Sequence, residues 1–295
     1  KSGQIVPTTY KYVVSDADGK YSVLDPEIKS NFLFTYQNFQ YDNVNNELVG
    51  FYLVSDLNDS KRKAKVEGQG YAVVRWNMKG EEVSSFSRLL TFGDVWNDDA
   101  KAYLKMIKVE NAQEDSKVFP NLVKGEIQVF HRENGNILVT FGSMETSADA
   151  RIRENGHLNA GNFIMELKGK GELVWTQFIT RRKDGIHKKE GFYYHNGMLY
   201  IVHKDFNEFF DGDKYQMTNA RLRATAETIS AVVIAIDCND GSISKHEMIE
   251  NVKFPKFMYA EPLSYKIAIE DGESVIYLRY WYTRKNQELT LRLVL

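Results

Sequence analysis

A repeat with a spacing of 70 residues constrains this chain more than any other feature. The segments ADARIREN and TNARLRAT each contain an Arg-aliphatic-Arg motif, and their first arginines are Arg151 and Arg221. A glycine in a turn-like segment lies 20 residues after each of them, at Gly171 and Gly241. Self-similarity at a fixed spacing is typical of repeat architectures. We therefore expect similar structural units that stack on one another.

The repeated unit is a pair of β-hairpins separated by a long loop. Apolar and polar residues alternate around Asn134-Gly135 and again around Asn196-Gly197. Asn-Gly between alternating apolar runs is the strongest short-range hairpin signal. A second hairpin with a glycine-containing turn follows each long loop. Hairpin patterns occur at residues 10–24, 34–56, 70–89, 126–143, 161–178, 191–205, 230–248 and 265–282.

Two hairpins in each unit predict a four-stranded antiparallel sheet with two apolar faces. Radial packing of several such sheets covers those faces, so we predict an all-β fold, a β-propeller of about four to five blades. The 38 aromatic residues and only 5 prolines favour strands as well. The predicted arrangement is one domain over residues 1–295, with blades at about 34–90, 125–180, 190–249 and 264–295.

Closure of the ring is predicted from the two ends of the chain. The last unit stops after ELTLRLVL without a recognisable fourth strand, and residues 9–27 hold a hairpin that belongs to no other unit. We expect these N-terminal strands to complete the last blade. Residues 91–124 fit either a helix or a strand, which leaves a fifth blade open.

The segments ENGNILVTFGSM and GNFIMELKGKGELVWTQF resemble the blades of kelch-like and related propellers. In those blades a turn, a strand and a glycine element precede a hairpin that carries a tryptophan. Where kelch repeats have a Gly-Gly doublet, this chain has Phe141-Gly142, His203-Lys204 and Ser55-Asp56. The resemblance implies a fold and no function, because propellers host binding proteins and several classes of enzyme.

Composition limits the partners that the chain can have. The formal net charge of −2 argues against nucleic acid or an anionic membrane as the main partner. Cys238 is the only cysteine, so an internal disulfide or a cysteine-based zinc site is excluded, and we expect Cys238 to be a small packed residue. No apolar run reaches the roughly 18 residues of a membrane helix. We predict no cofactor, and an extracytoplasmic location on the premise that a leader was removed.

The repeated arginines form the first predicted site. The long loops of a propeller lie at one end of the sheets, so the loop arginines of different units are expected to surround the central channel. Arginine binds carboxylate, sulfate and phosphate with two parallel hydrogen bonds. Solvated loop charges paired with neighbouring acids would explain the same pattern. The predicted ligand-binding arginines are Arg62, Arg151, Arg153, Arg221 and Arg223.

Other residues on or beside these loops suggest further chemistry. His157 and His203 could act as general bases, although a single histidine is more often structural. Phe209 and Phe210 lie among charges and are predicted to be exposed rings that stack on a sugar or a partner. The acidic segment DFNEFFDGD suggests a weak calcium site, yet its spacing does not match an EF-hand, and we assign no metal site.

Three functions are compatible with these features. The first is a non-catalytic propeller that binds an acidic glycan or a protein partner through the arginines at the loop-rich face. The alternative is a carbohydrate-active enzyme, a hydrolase or lyase, that uses acids or histidines at the same face. The third is a scaffold for protein partners. We found no catalytic motif in the sequence, so the first function is the main prediction and an enzyme is the less favoured one.

Overall fold

The structure is a computed structural model of the 295-residue chain. It describes residues 12–15, 19, 21–24, 32–56, 70–91, 94, 120–122, 127–141, 144–146, 160–181, 191–211, 214–215, 229–249, 260–282 and 286–294. Within these ranges, the secondary structure includes no helical segment with the length and apolar character that a membrane crossing requires.

Strands make up nearly all of the described structure, with one short 3₁₀ helix at Asn207–Phe209. The strands are β1 Tyr12–Ser15, β2 Tyr21–Leu24, β3 Phe32–Asp42, β4 Glu47–Asp56, β5 Gly70–Asn77, β6 Glu82–Leu89, β7 Pro120–Leu122, β8 Ile127–His131, β9 Ile137–Phe141, β10 Met144–Thr146, β11 Ala160–Leu167, β12 Leu173–Arg181, β13 Gly191–His195, β14 Met198–Phe206, β15 Phe210–Asp211, β16 Lys214–Tyr215, β17 Ile229–Asp237, β18 Ile243–Met248, β19 Ala260–Glu270, β20 Glu273–Tyr282 and β21 Gln287–Val294.

Four antiparallel sheets contain most of these strands. Sheet I has the order β3-β4-β5-β6, sheet II has β8-β9-β11-β12, and sheet III has β13-β14-β17-β18. Sheet IV has three strands in the order β19-β20-β21. Each four-stranded sheet consists of two hairpins, as the sequence predicts. Pairs β1–β2, β7–β10 and β15–β16 form separate two-stranded ladders.

The two ends of the sheets differ in the length of their connections. Tight turns join the first strand to the second and the third to the fourth, and we call this the hairpin-turn end. Asn196 and Gly197 both have positive φ, 48° and 77°, as a two-residue type I′ turn requires. The longer segments 57–69, 142–159 and 207–228 join the second strand to the third at the opposite end, which we call the loop end.

Consecutive sheets pack face to face in chain order. Sheets I and II share a core in which the Phe51 and Phe141 rings lie 6.4 Å apart. Sheets II and III share a second core that includes Leu138 and Ile234. Sheets III and IV share a third, which includes Val233 and Leu278. Successive antiparallel sheets stacked in this way have the arrangement of propeller blades, so the predicted all-β propeller fold is confirmed.

Closure of the ring by the N-terminal strands stays a prediction. Strands β1 and β2 form the hairpin predicted for residues 10–24, and Gly19 in its turn has a φ of 77°. Among the described strands, this hairpin forms no ladder with sheet IV. Most of residues 91–124 lie outside the described residues. The prediction that the chain is a single domain is not tested by them either.

At the hairpin-turn end, Arg75 on β5 links sheet I to sheet II. Its guanidinium pairs with Asp42 and, at 2.5 Å, with Glu47, which flank the β3–β4 turn of its own sheet. Its Nη1 donates a hydrogen bond of 2.9 Å to the carbonyl of Gly169 in the β11–β12 turn of sheet II. This link explains why a buried arginine is tolerated, because each of its three guanidinium nitrogens donates to an acceptor.

A similar link joins sheets II and III, but here the arginine lies in the first turn and the acid lies on the third strand. Arg132, in the β8–β9 turn, pairs with Glu166 on β11. Its Nη1 also donates a hydrogen bond of 2.6 Å to the carbonyl of Cys238 in the β17–β18 turn of sheet III. Glu166 and Arg75 occupy equivalent positions on the third strand of their sheets. In each sheet, the pairing with the fourth strand shifts register directly after this residue.

The pairing of Arg75 predicts a specific pH dependence for Asp42. Burial alone would raise the pKa of Asp42, but hydrogen bonds from Asn45 and Arg75 outweigh it and lower the pKa to about 2. A carboxyl whose pKa is lower in the folded state stabilises the fold above its unfolded pKa and loses that effect as the pH falls. The contribution is about 2 kcal/mol.

We therefore expect Asp42→Asn to lower the free energy of unfolding at pH 7 and to flatten its decline between about pH 5 and pH 2. Urea unfolding at a series of pH values measures both effects, and carboxyl NMR titration of the parent protein gives the pKa directly. Parallel pH curves for the parent and the variant would contradict the assignment to Asp42.

Candidate functional site

The loop end is where the sequence predicts the functional residues, and the structure describes only part of it. Six of the predicted site residues lie outside the described residues, so their placement stays a prediction. These are Arg62, Arg151, Arg153, His157, Arg221 and Arg223. The other three, His203, Phe209 and Phe210, are described and lie at the end of β14 or just after it.

The prediction that Phe209 is exposed is wrong. Its side chain is 1% exposed and belongs to the core shared by sheets I and II. The 3₁₀ turn after β14 brings the ring to 5.5 Å from Phe206 in an edge-to-face contact. Phe210 is half-buried and packs against the same core. Charged neighbours in sequence suggested exposure, but the turn directs these rings inward, where burial of an aromatic side chain stabilises most.

His203 and Asp205 form a buried pair on β14. Their side chains are 0% and 2% exposed, and Nε2 of the imidazole lies 3.5 Å from Oδ2 of the carboxylate. The other carboxylate oxygen, Oδ1, accepts a hydrogen bond of 2.8 Å from the backbone N–H of Phe206. Residues two apart on a strand point to the same face. A carboxylate beside an imidazole can orient the ring and stabilise its protonated form.

Other buried polar side chains lie on the same interface as this pair. Leu199 and Ile201 belong to the core between sheets II and III, and the alternation of β14 continues that face through His203 and Asp205. By the same alternation, three buried polar residues of β9, β11 and β17 point into this interface near its loop end. We call these five residues the buried polar cluster: Thr140, Asn162, His203, Asp205 and Ser230.

The buried polar cluster continues toward the 3₁₀ turn through two contacts. The hydroxyl of Ser230 donates a hydrogen bond to Oδ1 of Asn207. The ring of His203 lies 6.3 Å from that of His246 on β18, and His246 meets the half-buried ring of Phe210 edge-on at 5.6 Å. Imidazoles, a carboxylate, an amide and hydroxyls therefore lie at the loop end of the interface between sheets II and III.

The acidic residues at the end of β14 and just after it lie in different environments. Asp205 is buried, whereas Glu208 and Asp211 are exposed. Asp213 lies outside the described residues. Among the residues that the structure describes, no group of three or more histidine, cysteine or acidic side chains is arranged to hold a metal ion. The calcium hypothesis for this segment thus stays a prediction.

Cys238 is buried as expected, and its environment makes it a poor nucleophile. Burial raises the pKa of its thiol to about 12, so the thiolate form is scarce at neutral pH. Its thiol donates a hydrogen bond of 3.9 Å to the carbonyl of Ile236, and its own carbonyl accepts hydrogen bonds from Arg132 and from the indole of Trp175.

Sequence reasoning missed Thr140, Asn162 and Lys204. Lys204 is only 4% exposed, and the alternation of β14 directs it away from His203, toward sheet IV. Two signals point to this place. His203-Lys204 stands where kelch repeats have a Gly-Gly doublet, and HKD interrupts the apolar run MLYIV of β14. Polar residues at buried strand positions break the local pattern, and such breaks are expected at functional sites.

Comparison with known proteins places the chain in no established family. No protein-family model matches the sequence, and no curated protein matches it either. Solved structures do resemble it, and three of them are described here. A GH43 β-1,3-galactosidase with galactodeoxynojirimycin has 11% identity and a TM-score of 0.41, covering 96% of this chain and 81% of the other.

The second structure is an exo-β-1,3-galactanase from Phanerochaete chrysosporium with β-1,3-galactotriose, at 9% identity and a TM-score of 0.34. It covers 99% of this chain, which in turn spans 59% of the galactanase. The third is an exo-1,5-α-L-arabinanase from a bovine ruminal metagenomic library, at 11% identity and a TM-score of 0.32, with coverages of 96% and 84%.

The main functional prediction, a non-catalytic binding propeller, is wrong by this comparison. The three structures named above are a galactosidase, a galactanase and an arabinanase, which are enzymes. The comparison agrees better with the alternative prediction, a carbohydrate-active enzyme. TM-scores below 0.5 assign no activity to this chain, so the support for that alternative has to come from its own residues.

Proposed function

We propose that this protein is a carbohydrate-active enzyme that cleaves glycosidic bonds at the loop end of its sheets. The observation that carries the proposal is the His203–Asp205 pair, buried among other polar side chains between sheets II and III. Burial of ionisable groups is unfavourable unless they are paired. The other buried ionisable pair on this interface, Glu166 with Arg132, lies at the opposite end, and the core between the two pairs is apolar.

The pair has the components of a proton-transfer unit. General acid–base catalysis uses a histidine or carboxylic acid whose protonation state is set by its neighbours. Asp205 is fixed by the N–H of Phe206 and lies beside the imidazole of His203. Because both groups are covered, we propose that they hold and orient a proton beneath the substrate rather than contact the sugar themselves.

Two further parts complete the proposal. A glycosidase of the usual kind needs two carboxyl groups on either side of the scissile bond. Glu208 is an exposed acid three residues after Asp205, and we propose it as one of the groups that reach the substrate. The predicted loop arginines, among them Arg151 and Arg221, would hold a carboxylated sugar through paired hydrogen bonds. We also propose an extracytoplasmic location, where polysaccharide substrates occur.

A reducing-end assay tests the activity. The substrate panel contains β-1,3-galacto-oligosaccharides, α-1,5-arabino-oligosaccharides and uronic-acid oligosaccharides. We expect at least one of them to be cleaved, and we expect Asp205→Asn and His203→Gln to lower kcat/KM by about 100-fold, the usual size of a general acid–base contribution. The pH profile of kcat/KM should also shift in each variant, which a purely structural role would not cause.

The matched control is Glu166→Gln. Glu166 is another buried acid on the same interface, 1% exposed, but it lies at the hairpin-turn end and pairs with Arg132. Its loss is expected to lower the melting temperature while leaving kcat/KM of the folded protein unchanged. Lack of product from every oligosaccharide would contradict the proposed function. Full activity in folded Asp205→Asn would contradict the role of the pair.

A further inference from the structure

Sheet IV ends at a strand edge that the described strands leave uncovered. Sheets I, II and III each have four strands, whereas sheet IV has three and stops at β21. Within the described ranges, β21 forms a ladder with β20 and with no other strand. An edge strand presents a row of backbone N–H and C=O groups that can pair with another strand.

A cleft lies beside this edge, between sheets III and IV. Its volume is about 410 Å³, and its floor is formed by Tyr200, Val233 and Ala235 of sheet III. Leu293 and Val294 of β21 form the opposite wall. Val294 is 37% exposed although it ends the strand on an apolar run. The cleft thus occupies the position that a fourth strand of sheet IV would fill.

The two preceding interfaces show what normally covers this position. In sheet II, the turn at Gly171 packs against Phe86 of β6, and in sheet III the turn at Gly241 packs against Trp175 of β12. On β18 of sheet III, Lys245 pairs with Ala235. The equivalent residue on β12 of sheet II is Trp175, which pairs with Glu166. An outer hairpin in sheet IV would meet Lys245, and β21 has no described successor to form one.

The outer strand of sheet III is accordingly polar toward the cleft. Lys245 and Glu247 form an ion pair of 2.8 Å, and both side chains are 41% exposed. Their charges form a rim above the apolar floor. A single added strand could bury the apolar residues of the cleft and leave Lys245 and Glu247 in water. A packed aromatic turn would bury these two charges as well.

The N-terminal hairpin has a complementary unpaired surface. Val13 and Val23 are cross-strand partners on one face and are 67% and 53% exposed. Tyr21 lies on the same face, opposite Ser15, and is 69% exposed. An isolated two-stranded hairpin is at best marginally stable in water. A hairpin with three large exposed apolar side chains on one face therefore needs a partner surface.

We propose that strand β2 pairs antiparallel with the free edge of β21 and places its apolar face over the cleft. The direction of the chain agrees: β18, the outer strand of sheet III, runs toward the loop end, and β2 leads to β3, which starts there. Strand β21 is the third strand of its sheet and runs the opposite way. Seven residues separate Leu24 from Phe32, a tether that spans at most about 28 Å, so the pairing closes the ring within one chain.

Hydrogen exchange followed by mass spectrometry or NMR tests this pairing on the full chain. In an antiparallel ladder, alternate residues bond to one neighbour, so the β21 amides that do not bond to β20 report on a second partner. We expect these alternate amides to be protected in the parent protein, independently of protein concentration. Val23→Asp should raise their exchange rate about tenfold or more, because it places a charge on the docked face.

Val83→Asp is the matched control. Val83 lies on β6, the outer strand of sheet I, and is 52% exposed against 53% for Val23. It should leave exchange in β21 unchanged. Rapid exchange of the alternate β21 amides in the parent protein would overturn the proposal without any variant. Protection that grows with protein concentration, together with a dimer by light scattering, would also overturn it, because the edge would then pair with a second copy.

Discussion

Replacement of Glu166 by leucine is expected to lower the free energy of unfolding by about 3 to 5 kcal/mol. Glu166 is 1% exposed and pairs with Arg132, whose side chain is 6% exposed. Removal of the acid leaves the guanidinium buried without its ionic partner, and the carbonyl of Cys238 and the side chain of Asn239 only partly compensate. The loss also acts between sheets II and III, since Arg132 joins them. Urea unfolding measures the change.

A second substitution separates two effects on stability: the buried unpaired charge of Arg132 and the lost contact between sheets II and III. In the double variant Arg132→Met with Glu166→Leu, neither charge of this pair remains buried, so most of the lost stability should return. Glu288→Leu serves as the surface control, because Glu288 pairs with Arg279 but both side chains are largely exposed, at 41% and 51%. We expect no measurable change there. A double variant as unstable as Glu166→Leu would contradict the buried-charge explanation.

Gly241→Ala is expected to be strongly destabilising in sheet III, because it combines a steric clash with an unfavourable positive φ of 77°. A Cβ at this position would lie 2.6 Å from the Trp175 ring, well inside contact distance. The indole cannot easily move away, because its N–H donates a hydrogen bond of 3.2 Å to the carbonyl of Cys238 in the same turn. Overpacking adds about 1 to 3 kcal/mol to the cost of positive φ, so we expect a total loss of about 2 to 4 kcal/mol.

Gly197→Ala is an unusually close control for this substitution. Gly197 has the same φ of 77° and also lies in a hairpin turn of sheet III, but nothing lies within 4 Å of its potential Cβ. It should lose only the backbone contribution, about 1 kcal/mol. Thermal unfolding of both variants gives the difference. In a Trp175→Leu background the two glycine variants should become equivalent, and a persistent difference would contradict the contact with Trp175.

The sequence by itself determined the hairpins of the four large sheets and their order along the chain. Asn134-Gly135 and Asn196-Gly197 mark hairpins because few other residues accept the backbone conformation of such a turn. Alternation then gave the long connections of sheets I to III. These features are local in the chain, so composition and spacing suffice to find them. The resemblance of the repeated units also predicted the propeller, since similar sheets with two apolar faces must stack.

The tertiary structure decided what lies at the two ends of the interfaces. Glu166, Arg132 and Cys238 are far apart in sequence, and nothing local indicates that a charge in one turn reaches a carbonyl in the next sheet. Phe209 is similar, since its charged neighbours suggest exposure and only the 3₁₀ turn shows its burial.

The buried polar cluster is the clearest case of such a long-range feature. His203 was a candidate from its position beside a loop, but Thr140 and Asn162 are ordinary strand residues in the sequence. They become part of a site because sheets II and III pack face to face and alternation directs them into the same interface as Asp205. Pairing within a hairpin depends on local sequence, whereas packing between sheets brings together residues that only the folded chain makes neighbours.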